Sequence, residues 1–253
     1  MATGEPKESA VPTIILAAVT LAVGVYALMF GMQTEFYFQA HHWGSKAPFL
    51  KQVPQPLPST TASPAQEKNL SFYDMSFDAP WKGIASQTKG NEHSEVDFNT
   101  GPVIVFFNPE GEKDILGGIR RGDPKVYDQY RAVFGEDLFP SNYDLYLDAY
   151  SASPAELSPF FSREKVVRIG TLLEWKLAFG AGAASAIYTA QTNGLRGLQF
   201  GDPSRDAMIV VRLFDSRGQQ YRLLFTSKAG RGTFPQSDIN CVVDSLRPAE
   251  QSQ

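Results

Sequence analysis

The segment from Gly117 to Asp123 carries the residues best suited to bind a ligand. It places the adjacent guanidiniums of Arg120 and Arg121 beside two glycines and just before a predicted helix start. Guanidiniums bind carboxylates and phosphates through paired hydrogen bonds, and a helix start offers free backbone N–H groups to an anion. Arg120 and Arg121 are therefore predicted contacts for an anion or a partner. The alternative interpretation is an ordinary basic surface loop.

Two carboxylates, Asp144 and Asp148, stand four residues apart and would share one face of a helix. Such a pair can exchange protons with a substrate or bind a cation. The tyrosines on either side, Tyr143 and Tyr150, fit a helix on the protein surface. We therefore interpret the pair as part of a solvated helix face.

Residues for nucleophilic or metal chemistry are sparse. His93 lies in a polar loop, and the single cysteine, Cys241, sits in the apolar run 239–243, which favours a buried structural thiol. His41 and His42 are adjacent, a spacing that makes a poor chelate. The motifs G-x-S-x-G, H-E-x-x-H, C-x-x-C and G-x-x-x-x-G-K-[ST] are absent. We therefore predict no catalytic residues, no metal ligands and no cofactor.

The charge balance argues against one class of partner. The chain has 23 basic and 27 acidic residues and a net charge of −4 at pH 7. Affinity for nucleic acid comes largely from neutralising phosphates, which a mildly acidic protein is poorly suited to do. Nucleic acid is not an expected partner.

Helix-capping patterns predict the elements that hold these side chains. Ser, Asp and Asn cap the first turn, proline fits its first position, and glycine ends a helix. A capping box at Ser153 and a second cap-plus-proline pair, Ser158-Pro159, precede the longest predicted helix. The predicted helices run from Asp123-Pro124 to Gly135, from Ser141 or Asn142 to Tyr150, from Ser158 to Gly180, and from Pro235 to Leu246.

Alternating or continuous β-branched and aromatic residues predict the strands. Asn193-Gly194 and Ser216-Arg217-Gly218 are hairpin signals between the later ones. The predicted strands are 71–80, 94–98, 102–108, 186–192, 195–201, 207–214 and 220–226. This order predicts an α+β fold, a curved antiparallel sheet with packed helices, over residues 70–248.

A run of 22 residues without a formal charge, Val11 to Met32, precedes this domain. As a helix it would be ~33 Å long, enough for a hydrocarbon core of ~30 Å. It exceeds the ~7–15 apolar residues of a signal peptide, and the short tail 1–10 has no net positive charge. We predict a single-pass anchor at 11–32.

Two segments connect the predicted anchor to the domain. Residues 33–51 are predicted to lie at the membrane interface, where amphipathic aromatic side chains collect. Residues 52–69 contain four prolines among polar residues and are interpreted as an extended spacer. Basic residues are nearly balanced across the run, and we expect the domain outside because short N-terminal tails usually stay in the cytoplasm. The predicted interfacial residues are Phe36, Tyr37, Phe38 and Trp43.

Three short patterns stand out at the two ends of the predicted domain. An opening strand runs into Pro80-Trp81, the strand 103–107 follows a polar loop, and the closing helix ends in Val243-Asp244-Ser245-Leu246-Arg247. Together they resemble the PsbP-like α/β/α sandwich family. The resemblance covers 71–107 and 186–247, whereas the helical stretch 123–180 is longer than that family carries. It implies a noncatalytic accessory or binding module with no catalytic residues to transfer.

The sequence therefore favours a membrane-anchored noncatalytic binding or accessory module, such as a subunit of a larger membrane complex. The expected partners are the membrane and a protein in or near it. Two alternatives remain open: a hydrolase-like enzyme whose site is assembled from distant residues, and a small-ligand sensor or carrier.

Overall fold

The computed structural model describes the globular part of the chain and most of the segment before it. The described residues are Thr20, Val23, Gly31, 33–42, 44–111, 114–135, 139–158, 160, 162–180, 184–228 and 234–248. Within them the protein is an α+β fold with one large sheet, one small sheet and packed helices, which confirms the predicted class.

Six α-helices are described. The first, α1, is helical at residues 33–42 and 44–46. The others are α2 (Ile115–Arg121), α3 (Pro124–Phe134), α4 (Asn142–Ser151), α5 (Arg163–Phe179) and α6 (Gln236–Asp244). Short 3-10 turns lie at Pro48–Lys51, Pro109–Gly111 and Pro154–Glu156.

Eleven strands are described in the same residues. They are β1 (Gln55–Pro56), β2 (Glu67–Phe72), β3 (Met75–Ala79), β4 (Ile84–Lys89), β5 (His93–Phe98), β6 (Val103–Phe107), β7 (Ile187–Thr192), β8 (Leu195–Phe200), β9 (Met208–Phe214), β10 (Gln220–Thr226) and β11 (Arg247–Pro248). The large sheet has the order β1-β7-β8-β9-β10-β6-β5-β4, and the small one has the order β11-β3-β2. The large sheet is mixed rather than purely antiparallel, because β1 pairs with β7 in parallel.

The predicted single strand 71–80 is wrong, because the chain turns back within it. β2 and β3 form an antiparallel hairpin with Phe72 paired to Met75, and Tyr73 in the turn has a φ of 54°. The apolar residues Phe72 and Met75 are three apart, which breaks the two-residue period of a strand. By contrast, the predicted Asn193-Gly194 hairpin is confirmed, with both residues at positive φ as a primed turn requires.

The local capping signals are confirmed except at one helix. Asp123, Ser141 and Ser153 each accept a hydrogen bond from the first turn that follows them. The predicted start at Ser158 is wrong, because α5 begins later, with Ser162 accepting from the backbone N–H of Lys165. β4 was missed because all six of its residues are exposed and show no apolar alternation.

The large sheet buries both faces of its central strands. On one face, Ile209, Val211 and Leu213 of β9 pack in a core shared with the small sheet and α6. On the other face, Phe200 and Phe214 pack against Tyr146 and Tyr150 of α4. Successive residues of a strand point to opposite faces, so β9 contributes to both cores.

Helix α1 packs directly on the domain. Ala40 is 2% exposed in a core cluster shared with α5, and Phe36 and Tyr37 pack against that cluster. The contact is close, since a Cβ added at Gly170 would lie 2.8 Å from the Phe36 ring. Residues 33–42 and 44–46 are therefore part of the folded body. Among the described residues, no helix has the length and hydrophobicity needed to cross a membrane, and the predicted span 11–32 lies outside them except for Thr20, Val23 and Gly31.

The interpretation of residues 52–69 as an extended spacer is wrong, because this segment is bound along the domain. Gln55 and Pro56 extend the large sheet beside β7, and the backbone N–H of Leu57 donates to the Thr189 carbonyl at 3.2 Å. Farther on, the Asn240 amide donates to the Thr60 carbonyl at 2.8 Å. Proline tolerates this position because an edge strand leaves one side without ladder partners.

Candidate functional site

A polar cleft of about 780 Å³ lies where α2, the start of α4 and the loop between β9 and β10 meet the turn between β2 and β3. Its lining combines guanidinium, carboxylate, hydroxyl and amide groups. The lining residues are Asp74, Asp114, Leu116, Gly117, Arg120, Arg121, Pro140, Ser141, Asn142, Ser216, Arg217, Gly218, Gln219, Gln220 and Tyr221. Both arginines predicted from the sequence are among them.

The structure changes how Arg120 and Arg121 are presented. Residues 115–121 form helix α2 rather than a flexible loop, and Asp114 caps it by accepting from the backbone N–H of Gly117. At the start of α3, the carboxylate of Asp123 accepts from the Lys125 N–H and caps the helix. The two guanidiniums reach the cleft from the last turn of α2.

The two arginines have different partners. The guanidinium of Arg121 lies 3.4 Å from the carboxylate of Asp114, with both side chains more than half exposed. The pKa of Asp114 is lowered, first by the Gly117 N–H and further by Asn142 and Arg121. Arg120 donates to the Phe139 carbonyl at 3.1 Å, and within the described residues it has no carboxylate partner.

A third guanidinium, Arg217, enters the cleft from the loop between β9 and β10. It pairs with Asp215 at 3.1 Å. It also approaches the phenol of Tyr221, a buried residue whose pKa is raised by burial and by Asp74 and Asp215. The sequence marked Arg217 only as part of a hairpin signal. Its place in the cleft depends on a turn meeting a helix about one hundred residues earlier in the chain.

Asn142 holds the walls of the cleft together. Its side chain is 8% exposed. The amide oxygen accepts from the Leu116 N–H at 3.0 Å, and the amide nitrogen donates to Asp114 at 3.1 Å and to the Gly218 carbonyl at 3.4 Å. One side chain therefore joins α2, α4 and the β9–β10 loop. The sequence identified Asn142 only as an alternative helix cap.

The paired carboxylates of α4 do not form a shared site. Asp144 accepts a hydrogen bond from the Ser141 hydroxyl at 2.5 Å, and Asp148 lies 3.9 Å from Arg168. Burial raises the pKa of Asp148, although its side chain remains 45% exposed. The Ser141 bond lies at the N-terminal cap of α4, and the Arg168 contact links α4 to α5.

The other reactive residue types lie away from the cleft. Cys241 is buried in α6, and burial raises the pKa of its thiol to about 11, so the thiol is protonated at neutral pH. His93 is exposed at the start of β5, with its ring centroid 6.1 Å from that of Phe107. In the described ranges, no three His, Cys, Asp or Glu residues cluster as metal ligands would.

The residues predicted to contact a membrane surface differ in how far they are exposed. Phe36 and Tyr37 are partly buried against the domain, whereas Phe38 is 65% exposed and contacts Tyr37 edge to face. Trp43 lies outside the described residues. Of these, Phe38 presents most of its side chain away from the protein.

Comparison with known proteins supplies no relative for this chain. No family model matches it, and neither the curated proteins nor the solved structures contain a significant match.

Proposed function

We propose that this protein is a membrane-anchored, noncatalytic binding or accessory module that contacts a protein partner through the polar cleft. The observation that carries the proposal is the cleft itself. It presents Arg120, Arg121 and Arg217 on a scaffold locked by the buried side chain of Asn142. Preformed polar groups around an open concave surface suit recognition of a partner segment.

The uncharged run 11–32 supports a membrane anchor. Because α1 packs on α5 directly after that run, the domain would be held close to the bilayer in a fixed orientation. We propose that the domain lies on the extracytoplasmic side, with Phe38 and Trp43 at the headgroup level.

The resemblance to the PsbP-like sandwich supports the same function, since that family supplies accessory and binding modules. The residues that carry the resemblance have structural partners here. The Ser245 hydroxyl accepts from the Asp78 N–H at 2.8 Å, and Arg247 donates to the Asp78 carboxylate at 3.0 Å. These bonds close the C-terminal end of the domain on β3.

Crosslinking in intact cells tests this function. A membrane-impermeant amine-reactive crosslinker, followed by mild detergent extraction, should capture one stoichiometric protein with the wild-type chain. Replacing both cleft arginines, Arg120→Gln and Arg121→Gln, should reduce that capture about tenfold or more, because two guanidinium contacts are lost. Arg163→Gln, an exposed change on α5 that removes one guanidinium and no amine, is the matched control and should capture as the wild type does.

Three outcomes would contradict the proposal. If the double variant captures the partner as well as the wild type does, the cleft is not part of the interface. Recovery of the protein as a clean monomer at native abundance would contradict the accessory function. Capture only after the cells are lysed would place the domain in the cytoplasm and overturn the proposed orientation.

A further inference from the structure

We infer that the partner segment recognised by the cleft carries charges of both signs, with its anion at Arg120 and its cation at Asp74. This inference rests on the proposed function and deepens it, since it specifies the chemistry of the partner. It follows from which charged groups of the cleft are already paired within the described residues and which are not.

Two of the three guanidiniums in the cleft are neutralised by neighbours. Arg121 pairs with Asp114, and Arg217 pairs with Asp215. Arg120 is exposed, and one of its nitrogens donates to the Phe139 carbonyl. Within the described residues it meets no carboxylate, so its remaining N–H donors are available for an anion. The Phe139 contact holds the side chain in place for a ligand.

Two carboxylates line the cleft, and only one of them forms an ion pair within the described residues. Asp114 is held by Arg121 and by the amide of Asn142. Asp74, in the exposed turn between β2 and β3, forms no ion pair in the described part of the chain, although its charge contributes to the raised pKa of Tyr221. It is therefore the carboxylate of the cleft that a cationic group can approach.

The rest of the lining fits a peptide. The lining also includes the hydroxyl of Ser216 and the amide oxygen of Gln219, which can bind backbone groups of a peptide. A cavity of about 780 Å³ spanning three loops and a helix is larger than a single amino acid needs. An acidic or basic segment alone would satisfy one of the two unpaired groups and leave the other facing a like charge.

Binding of short peptides to the full-length protein in lipid nanodiscs tests the inference. The probes are capped peptides with one lysine and one glutamate separated by one to four glycines, in either order. In the matched probes, glutamine replaces the lysine, the glutamate or both. We expect the best mixed-charge peptide to bind about 1.5- to fivefold more tightly than either singly charged peptide, as expected for one partly exposed ion pair.

Three variants test which residue of the cleft binds each charged side chain of the peptide. Arg120→Gln should abolish the advantage contributed by the glutamate, and Asp74→Asn should abolish the advantage contributed by the lysine. Lys89→Gln should preserve both advantages. Arg120 and Asp74 are exposed, so the unfolding temperature should be unchanged and loss of selectivity would not reflect misfolding.

The inference is overturned if no mixed-charge peptide exceeds its singly charged counterparts, or if selectivity survives both substitutions. Competition by glycerophosphoethanolamine at equal strength would also overturn it, because the cleft would then recognise a lipid headgroup. The crosslinking result and the peptide result together distinguish the proposed function from this inference. If crosslinking depends on the cleft but peptide selectivity is absent, the inference fails and the proposed function stands. If no partner is captured, the proposed function fails.

Discussion

Replacing Lys176 with methionine should lower the free energy of unfolding by about 2–4 kcal/mol and release residues 48–52 from the domain. Lys176 is 0% exposed in α5. Its ammonium donates to the carbonyls of Leu50, Gln52, Tyr150 and Ala152 at distances from 2.5 to 3.1 Å. Methionine fills similar space but donates nothing, so these buried carbonyls lose their partner.

The positive charge of Lys176 reduces the loss of unfolding free energy that we expect for the methionine variant. Burial lowers the pKa of this amine to about 8, because a cation that is removed from water loses its hydration. This loss of hydration destabilises the folded protein. The carbonyl oxygens favour the protonated form and offset part of that cost. Removing the charge recovers the cost of burial, and the expected loss is therefore smaller than four lost hydrogen bonds would give.

Chemical denaturation and limited proteolysis measure the two consequences of Lys176→Met. Cleavage within 52–66 should become faster than in the wild type, because local opening exposes the backbone. Lys125→Met, an exposed change on α3, is the control and should alter neither measurement. Unchanged stability together with unchanged cleavage would contradict the function we assign to Lys176 in holding residues 48–52.

Replacing Asn142 with leucine should lower the free energy of unfolding by about 2–4 kcal/mol and abolish capture of the partner. Leucine has nearly the same shape, but it leaves the Leu116 N–H, the Asp114 carboxylate and the Gly218 carbonyl without their amide partner. The loop between β9 and β10 then loses its direct bond to α4. The cleft should open, and Arg217 should move away from Arg120.

Calorimetric unfolding and crosslinking capture test the Asn142→Leu variant together. Asn91→Leu, at an exposed bend, is the control and should leave stability and capture unchanged. Full stability with normal capture would show that Asn142 does not hold the cleft. A stability loss with normal capture would place the partner elsewhere on the protein.

Local signals account for the parts of the fold that were predicted correctly. Asp123, Ser141 and Ser153 cap the turns that follow them, and the β-branched residues of β6 form a strand. These features depend on neighbours within a few residues. The hairpin at Tyr73 was missed because its turn has neither glycine nor proline to mark it.

Contacts between distant residues account for what the sequence did not indicate. The sequence carries no local signal for the contacts of Lys176, because its carbonyl partners are 24 to 126 residues away. The proline-rich segment looked like a spacer, because its composition does not show that β7 has an edge for Gln55 and Pro56. Likewise, Arg120 and Arg121 were predicted as contacts, but Asp74 and Arg217 joined them only through the tertiary fold.

Site-specific photocrosslinking in native membranes is the most direct test of the claim that the cleft binds a protein partner. A photoreactive amino acid is placed at Ser216, on the exposed rim of the cleft, and in a separate chain at Lys89 on β4. The proposal predicts one discrete crosslinked protein from position 216, none from position 89, and loss of the product when Arg120→Gln and Arg121→Gln are added. Absence of a product at position 216, or an equal product at position 89, would contradict it.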